Sequence, residues 1–307
     1  MSTSQPGIFT LGTTIHRHLE FELRPGVGTT ELRDALRSAR ETESGGDGLH
    51  TVVGVGGARW RDLARLGAPD ALPSFPHDIE GVPSTQHDVW IWIHGDDPGH
   101  LFDHARHLAA AMEPVADVVS EVQGFVYLDN RDLLGFIDGT ENPGPHEAPG
   151  LVCLPDEHPG AGGTYAMVQR WVHDLDGFEA LPISERELVI GRTHADSVEI
   201  DDDVRPDTAH ISRVVITDRS SDPDGEELEM FRRSIPYGDV GEYGLQFVGF
   251  AVDTDRIERM LRRMFGQGTE GRDDDGLHDA ITRFSRPVSG SFYFVPSLED
   301  LQAAALP

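Results

Sequence analysis

The chain contains no lysine. All 25 strong bases are arginines, set against 54 acidic residues, for a formal net charge of −29. A field that negative repels phosphate backbones and anionic lipid headgroups, so no nucleic-acid partner and no membrane partner is expected. Self-repulsion on this scale is best tolerated where salt screens it. There is one cysteine, Cys153, which rules out an internal disulfide and lacks the spaced partners of a zinc site. No run of about 18 apolar residues occurs, so no transmembrane helix is expected. The first residues lack a basic segment followed by an apolar stretch, which leaves no secretory signal and points to the cytoplasm. What is present is ordinary globular material. Hydrophobic residues make up 38% of 307 residues, with 34 glycines besides, enough for a sizeable core in two domains or one large one.

Apolar periodicity gives a mixed order of elements. LEFELR (19–24) alternates as a strand, and TTELRDALRSARE (29–41) carries helical spacing at Leu32, Ala35 and Leu36. TVVGVGG (51–57) reads as a strand, and the helix from GARWRDLARLG stops at Gly67. DVWIWIHG (88–95) is a strand, HLFDHARHLAAAM (100–112) a helix, and DVVSEVQGFVYLD (117–129) a long strand or a hairpin with a bulge at Gly124. The Gly- and Pro-rich stretch 138–150 marks the boundary between an N-terminal domain, 1–145, and a C-terminal one, 146–307. Beyond it, TYAMVQRWVHD (164–174), SRVVITD (212–218), FRRSIPYG (231–238), GLQFVGFAVD (244–253) and GSFYFVPS (290–297) read as strands. ISERELVIG (183–191), DRIERMLRRMFG (255–266) and DDGLHDAITRF (274–284) read as helices. Without a regular parallel βαβ run, this favours an α+β fold with antiparallel sheets and helices on one face.

Fifteen histidines are present, and most have plain readings. His100, His104 and His107 sit at i, i+4 and i+7, a spacing that suits a metal or, more simply, a solvated helix face. His16 and His18 share one face of a strand, with the same two readings. Three segments stand apart. In GFIDGTENP (135–143), Asp138 lies between two glycines, either capping a turn or facing a flat ligand that glycine lets approach the backbone. In DTAHISRVVI (207–216), His210 opens a β-branched run read as a strand, either satisfied by a carbonyl or free to act as a ligand. In FRRSIPYG, Arg232 and Arg233 are adjacent on a strand and so point to opposite faces. A buried arginine needs an anion, whether an acid of this chain or a ligand.

Together with IGRTHAD (190–196) and RFSRPVSGSFYFVPS (283–297), these segments resemble the dye-decolorizing peroxidases, in particular their bacterial cytoplasmic (class B) branch. GFIDGTENP matches that family's GxxDG signature, and the five segments fall in the family's order over about residues 120–300. The N-terminal part agrees by length and element order. The resemblance implies two ferredoxin-like halves of the dimeric α+β barrel type and one haem b per chain. It places His210 as the axial ligand of the haem iron and Asp279 as the carboxylate on its other nitrogen. Asp138, Arg232 and Ser234 fall at the distal polar positions, and Arg192, Gly139 and Thr193 fall on the cofactor. His194 stands where many relatives have lysine, a rim position.

The implied activity is reduction of hydrogen peroxide and oxidation of bulky organic donors such as dyes and phenols, through a high-valent oxo-iron intermediate. Asp138 relays the peroxide proton and Arg232 steadies the departing oxygen. With an arginine beside it, Asp138 is expected to stay ionised to low pH, giving activity under mildly acidic conditions. Trp171, Tyr237, Tyr243 and Tyr293 are nominees for carrying electrons, although each also reads as core. A homo-oligomer is expected. SLEDLQAAALP carries no extended tail that would read as an encapsulation tag. Two alternatives stand beside the peroxidase: a haem-handling protein with little peroxidase turnover, and a cofactor-free interaction protein whose motifs are turns and ion pairs.

Overall fold

The computed structural model describes residues 2–41, 48–64, 68–218, 226–268 and 276–305. In the first half the strands are β1 (Ile15–Leu23), β2 (His50–Val55), β3 (Val89–Gly95) and β4 (Ala116–Phe125). The helices there are α1 (Thr29–Glu41), α2 (Gly57–Leu63) and α3 (Pro98–Met112). Asp97 caps α3 by accepting from the His100 N–H. The second half begins with α4 (Ala148–Val152) and β5 (Thr164–His173), followed by α5 (Leu175–Glu179), α6 (Ile183–Ile190) and α7 (His210–Val214). Then come β6 (Thr217–Asp218), β7 (Glu226–Glu227), β8 (Phe231–Arg232), β9 (Ile235–Gly238) and β10 (Tyr243–Ala251). The chain continues through α8 (Asp255–Met264), β11 (Ser285–Pro287), β12 (Ser291–Val295) and α9 (Leu298–Ala304). No helix among the described residues is long and apolar enough to cross a membrane.

Eight strands close into an antiparallel barrel in the order β5-β12-β2-β3-β1-β4-β9-β10, and β10 pairs back onto β5; β11 and β8 flank it. Each half contributes four strands, side by side in the order fourth, first, third, second. The halves meet at two seams, Gly124 beside Tyr237 and Phe294 beside Val55. Strand alternation sends one face of each strand into the barrel. Trp90, Trp92, Val248, Phe250 and Tyr293 fill that interior, none more than 1% exposed. Trp90 stacks on Trp92 and on Tyr293. The Tyr293 hydroxyl donates to Glu20 at 2.6 Å, so polar groups from opposite halves pair across the core. The helices α1 and α3 cover the outer face of the N-terminal strands, with Leu32, Leu36, Leu101 and Leu108 buried there.

Four expectations are corrected. Gly124 makes no bulge; the register shift lies between Glu20 and Phe21 of β1. Gly124 is required because a Cβ would sit 2.3 Å from Ile235 Cγ2 at the seam. SRVVITD is no continuous strand: Ser212 to Val214 close α7, and only Thr217 and Asp218 pair as a strand. FRRSIPYG is split into β8 and β9, with Arg233 and Ser234 between them. DDGLHDAITRF forms no α-helix; Ala280–Arg283 make a single 3-10 turn whose N-cap is Asp279. Residues 274 and 275 of that segment, and the expected helix stop at Gly67, lie outside the described residues.

The histidines find plain partners. His104 shares a hydrogen bond with Thr51 Oγ1 at 3.0 Å. His16, His18 and His94 lie inside the barrel, where burial drives His18 down to about 3 and His94 to about 2. They are therefore neutral hydrogen-bonding groups, and no cluster of three metal-binding side chains forms among the described residues. Of the nominated redox residues, Trp171, Tyr237 and Tyr293 are buried and Tyr243 is half-buried.

Candidate functional site

A cavity opens on the outer face of the C-terminal strands, between β5, β8 and β10 and the helices α7 and α8. Asp138, Gly139, Arg192, His210, Arg232 and Ser234 all line it. The rest of its wall is largely apolar, with Leu134, Ile137, Met167, Leu245, Phe247, Met260 and Met264 among the contributors. Six of the residues nominated for catalysis or cofactor binding, from segments up to 96 positions apart in the chain (138 to 234), thus share one space, and Trp171 lines it as well.

His210 is fixed through the C-terminal end of α8. That end carries unpaired carbonyls, as every helix end does. Arg213 of α7 donates to the Arg263 carbonyl at 2.9 Å, and the Asp279 N–H donates to the Met264 carbonyl at 2.8 Å. The two segments are thereby docked on the same helix end, and the Ala280 N–H ties them together through the Thr208 carbonyl. The result is a 2.7 Å hydrogen bond between His210 Nδ1 and Asp279 Oδ2. Asp279 is fully buried, and its Oδ1 accepts from the Ile281 N–H at 2.9 Å. With Nδ1–H donated to Asp279, the imidazole keeps the lone pair on Nε2 toward the cavity. His210 therefore stands at the start of a short helix, where a strand was expected. The β-branched run is helical because tertiary contacts with α8 outweigh its local preference.

Asp138 is set by its loop. Its N–H donates to the Asn130 carbonyl at 3.0 Å, and the flanking Gly135 and Gly139 adopt φ of 92° and 73°, a region that glycine enters without strain. Asn142, from the same GFIDGTENP segment, fastens β8: its Nδ2 donates to the Arg232 carbonyl at 2.7 Å and its Oδ1 accepts from the Arg232 N–H at 2.9 Å. That pair of hydrogen bonds fastens Arg232 to the segment that carries Asp138. The two arginines point apart, although Arg233 lies just past the end of β8. Arg232 lines the cavity, whereas Arg233 turns into the barrel, its guanidinium 4.9 Å from the Trp92 ring centre.

The electrostatics correct one expectation. Burial pushes the Asp138 carboxyl above the ordinary aspartate range, and the neighbouring Asp132 adds to this. The charges of Arg232 and His210 and the Gly139 N–H pull the other way without prevailing. Asp138 is thus harder to ionise than a free aspartate, because desolvation outweighs the arginine beside it. Asp132 behaves oppositely. Burial raises it, but His173, 3.1 Å away, and backbone N–H groups hold it below the ordinary range. One cavity thereby holds two carboxyls with separated proton affinities, the arrangement that divides acid from base roles.

Arg192 is buried, its Nη2 shared by Glu141 at 2.9 Å and Glu199 at 2.5 Å and its Nη1 on the Ser197 carbonyl. Ser234 Oγ accepts from the Val248 N–H at 3.4 Å. Thr193 is not brought to the cavity wall; its hydroxyl donates to Asp196 and accepts from the Val198 N–H, tying the turn that carries Arg192. The His194 carbonyl accepts from Arg131, and its ring stands edge-on to Phe136. Sequence reasoning missed Asn142, Asp132 and His173. Only Asn142 left a trace, as part of the signature segment itself.

The donor set fits an iron porphyrin. An imidazole with Nδ1 committed to a buried carboxylate, an apolar wall, and a buried arginine already gathering carboxylates are the three groups that such a ligand requires. Comparison with known proteins agrees. The family model described as "Dyp-type peroxidase, C-terminal" matches residues 129–300, and the N-terminal model matches residues 22–126. A dye-decolorizing peroxidase of Mycolicibacterium paratuberculosis is 38% identical over 260 residues, covering 82% of this chain and 71% of that one. A putative Dyp-type peroxidase structure from Shewanella oneidensis superposes with a TM-score of 0.88 at 31% identity, covering 98% of both chains. A DypB variant of Rhodococcus jostii, solved in complex with heme, gives 0.85 at 32% identity, covering 95% of this chain and 96% of that one. On sequence and fold alike, the chain belongs to the Dyp-type peroxidase family and is a haem peroxidase.

Proposed function

We propose that the chain binds one haem b in this cavity through His210 Nε2 and uses it to reduce hydrogen peroxide at the expense of bulky organic donors such as dyes and phenols. The observation that carries this reading is the His210–Asp279 pair opening onto the space that also holds Asp138 and Arg232. The bound group supplies the iron and its redox chemistry; the remaining work belongs to the protein.

Asp279 holds the His210 ring in one tautomer and makes it more electron-rich. Asp138 takes the proton from one peroxide oxygen and delivers it to the other, a task suited to a carboxyl whose proton affinity has been raised toward the working pH. Arg232 provides fixed positive charge for the departing oxygen, and Ser234, its oxygen already accepting from the backbone, offers its O–H to the same region. Arg192, shared with Glu141 and Glu199, would hold a propionate, Gly139 would permit close approach of the ring, and Thr193 braces the Arg192 turn. We read each half, 1–145 and 146–307, as a ferredoxin-like unit, on the strand order given above. The chain is further proposed to act as a cytoplasmic homo-oligomer.

The deciding experiment is a Soret spectrum of wild type and His210→Ala, with and without peroxide. Wild type should bind haem and change its spectrum rapidly with peroxide, and His210→Ala should lose most of the haem. Equal haem affinity in the two would overturn the ligand assignment. A holo-protein inert to peroxide would favour haem handling.

A further inference from the structure

Arg232 lines the cavity, yet no hydrogen bond or ion pair among the described residues holds its guanidinium. Its aim is set by the backbone that carries it, and that backbone is short of partners. β8 is a strand of two residues at the end of the sheet. In an antiparallel pair, facing residues alternate between those that exchange backbone hydrogen bonds and those that turn them away. Arg232 faces Gly249 of β10, and the bond to β10 is made by the next residue, Arg233, whose N–H donates to the Val248 carbonyl at 2.8 Å. Arg232 therefore presents its own N–H and C=O to the outer edge, where a further strand would receive them.

Asn142 takes the place of that strand. A primary amide carries a donor and an acceptor side by side, as a backbone does. Nδ2 reaches the Arg232 carbonyl at 2.7 Å and Oδ1 receives the Arg232 N–H at 2.9 Å, so one side chain satisfies both edge groups. Aspartate would set an oxygen against the carbonyl, and serine would reach with a single atom. Asn142 is held in turn. Its N–H donates to the Gly139 carbonyl at 3.1 Å, closing a turn in which Gly139 stands at φ 73°. A Cβ on Gly139 would lie 3.4 Å from Asn142 Nδ2, so the turn packs closely under the amide. It begins one residue after Asp138, which mounts the acid and the arginine on one piece of structure.

We propose that Asn142 is a positioning residue for the peroxide reaction: it clamps the Arg232 backbone from the edge of the sheet and so holds the guanidinium beside Asp138, where the departing oxygen gathers charge. Displacing a reacting group by about 1 Å can cost about 10²-fold in rate, and the arginine has no side-chain partner to hold it in place once the clamp is gone. This deepens the haem-peroxidase reading and rests on it.

The test is a double-mutant cycle in the haem-loaded protein, built from Asn142→Ala, Arg232→Leu and the double variant, with single-turnover peroxide rates from stopped flow. Asn142→Ala alone should be about 10- to 100-fold slower. In the Arg232→Leu background the same change should cost less than about twofold, because the clamp then has nothing to aim. Fluoride titration of the ferric protein, followed in the Soret band, reads the arginine's charge without turnover, and affinity should weaken in both single variants. Haem affinity, measured by titrating the apo-protein, should be unchanged. If the alanine variant fails to fold, Asn142→Asp, which keeps the shape and loses the bond to the carbonyl, carries the same cycle. An unchanged peroxide rate, or an unchanged fluoride affinity, overturns the proposal. So does an equal loss in both backgrounds, which would make Asn142 a general brace of the Asp138 loop, and so does a loss of haem affinity with a normal rate per bound haem. A failure of the underlying reading would show instead in wild type, as an absent Soret band.

Discussion

Replacing Asp279 by asparagine removes one charge and one acceptor at constant size. The carboxylate now serves two donors, His210 Nδ1 at 2.7 Å through Oδ2 and the Ile281 N–H at 2.9 Å through Oδ1. Asparagine has a single oxygen and cannot serve both. Turned toward His210, it keeps a neutral hydrogen bond in place of a charged one, a loss of about 1 kcal/mol, and uncaps the 3-10 turn at a cost of about 1 kcal/mol more. Turned toward Ile281, it sets an NH2 against Nδ1–H and drives the ring to the tautomer that carries its proton on Nε2, where no iron can bind. The first orientation predicts a ferric/ferrous potential raised by about 40 mV, from 59 mV per 1.4 kcal/mol for one electron. Haem affinity should fall about fivefold at the least, and toward the 10–100-fold typical of such partners if the second orientation contributes. Spectroelectrochemistry of the holo-protein and haem titration of the apo-protein check both. Unchanged potential and affinity, in a variant with wild-type circular dichroism, would show that Asp279 does not steer His210.

Arg232→Leu should bind haem normally yet react with peroxide about 10²–10³ times more slowly in stopped flow. Asp138 titrates from a raised value, so its ionised form is lost at a higher pH than an ordinary aspartate's, and the peroxide rate should fall with acidification earlier than a free carboxyl would dictate. For folding the sign is the reverse of the usual carboxylate case. The ionised form is penalised in the native state above the ordinary pKa, and the penalty is relieved as pH falls through the raised value. Asp138→Asn apo-protein should therefore melt higher than wild type at neutral pH, with the difference shrinking on acidification. Gly124→Ala drives a methyl into Ile235 at the seam and should cost about 1–3 kcal/mol in denaturant unfolding.

How far the sequence was readable depended on whether the signal was local. Periodicity found β1, β3, β5 and β10, since each alternates or is buried on both faces. The adjacent arginines were expected to diverge, and Arg232 and Arg233 do, although the strand ends between them. His210 was found by its motif, but its setting was misjudged: a β-branched run favours a strand until α8 and Arg213 supply a reason to coil. The ionisation of Asp138 was misread because adjacency to an arginine is visible in a chain's motifs, whereas the burial that outweighs it belongs to the folded cavity.

The closed barrel has a consequence for how this protein can be taken apart. Each seam joins strands from different halves, and the core beneath them is held by reciprocal pairs: Tyr293 on Glu20, Arg233 on the Ile8 carbonyl, Gln5 on the carbonyls of Val53 and Pro296. A chain severed near residue 145 would give two open sheets, each with raw edges and half a set of buried polar groups lacking mates. Such fragments should coalesce with one another or precipitate, so the two halves, alike in strand order, depend on each other and are no pair of spare parts.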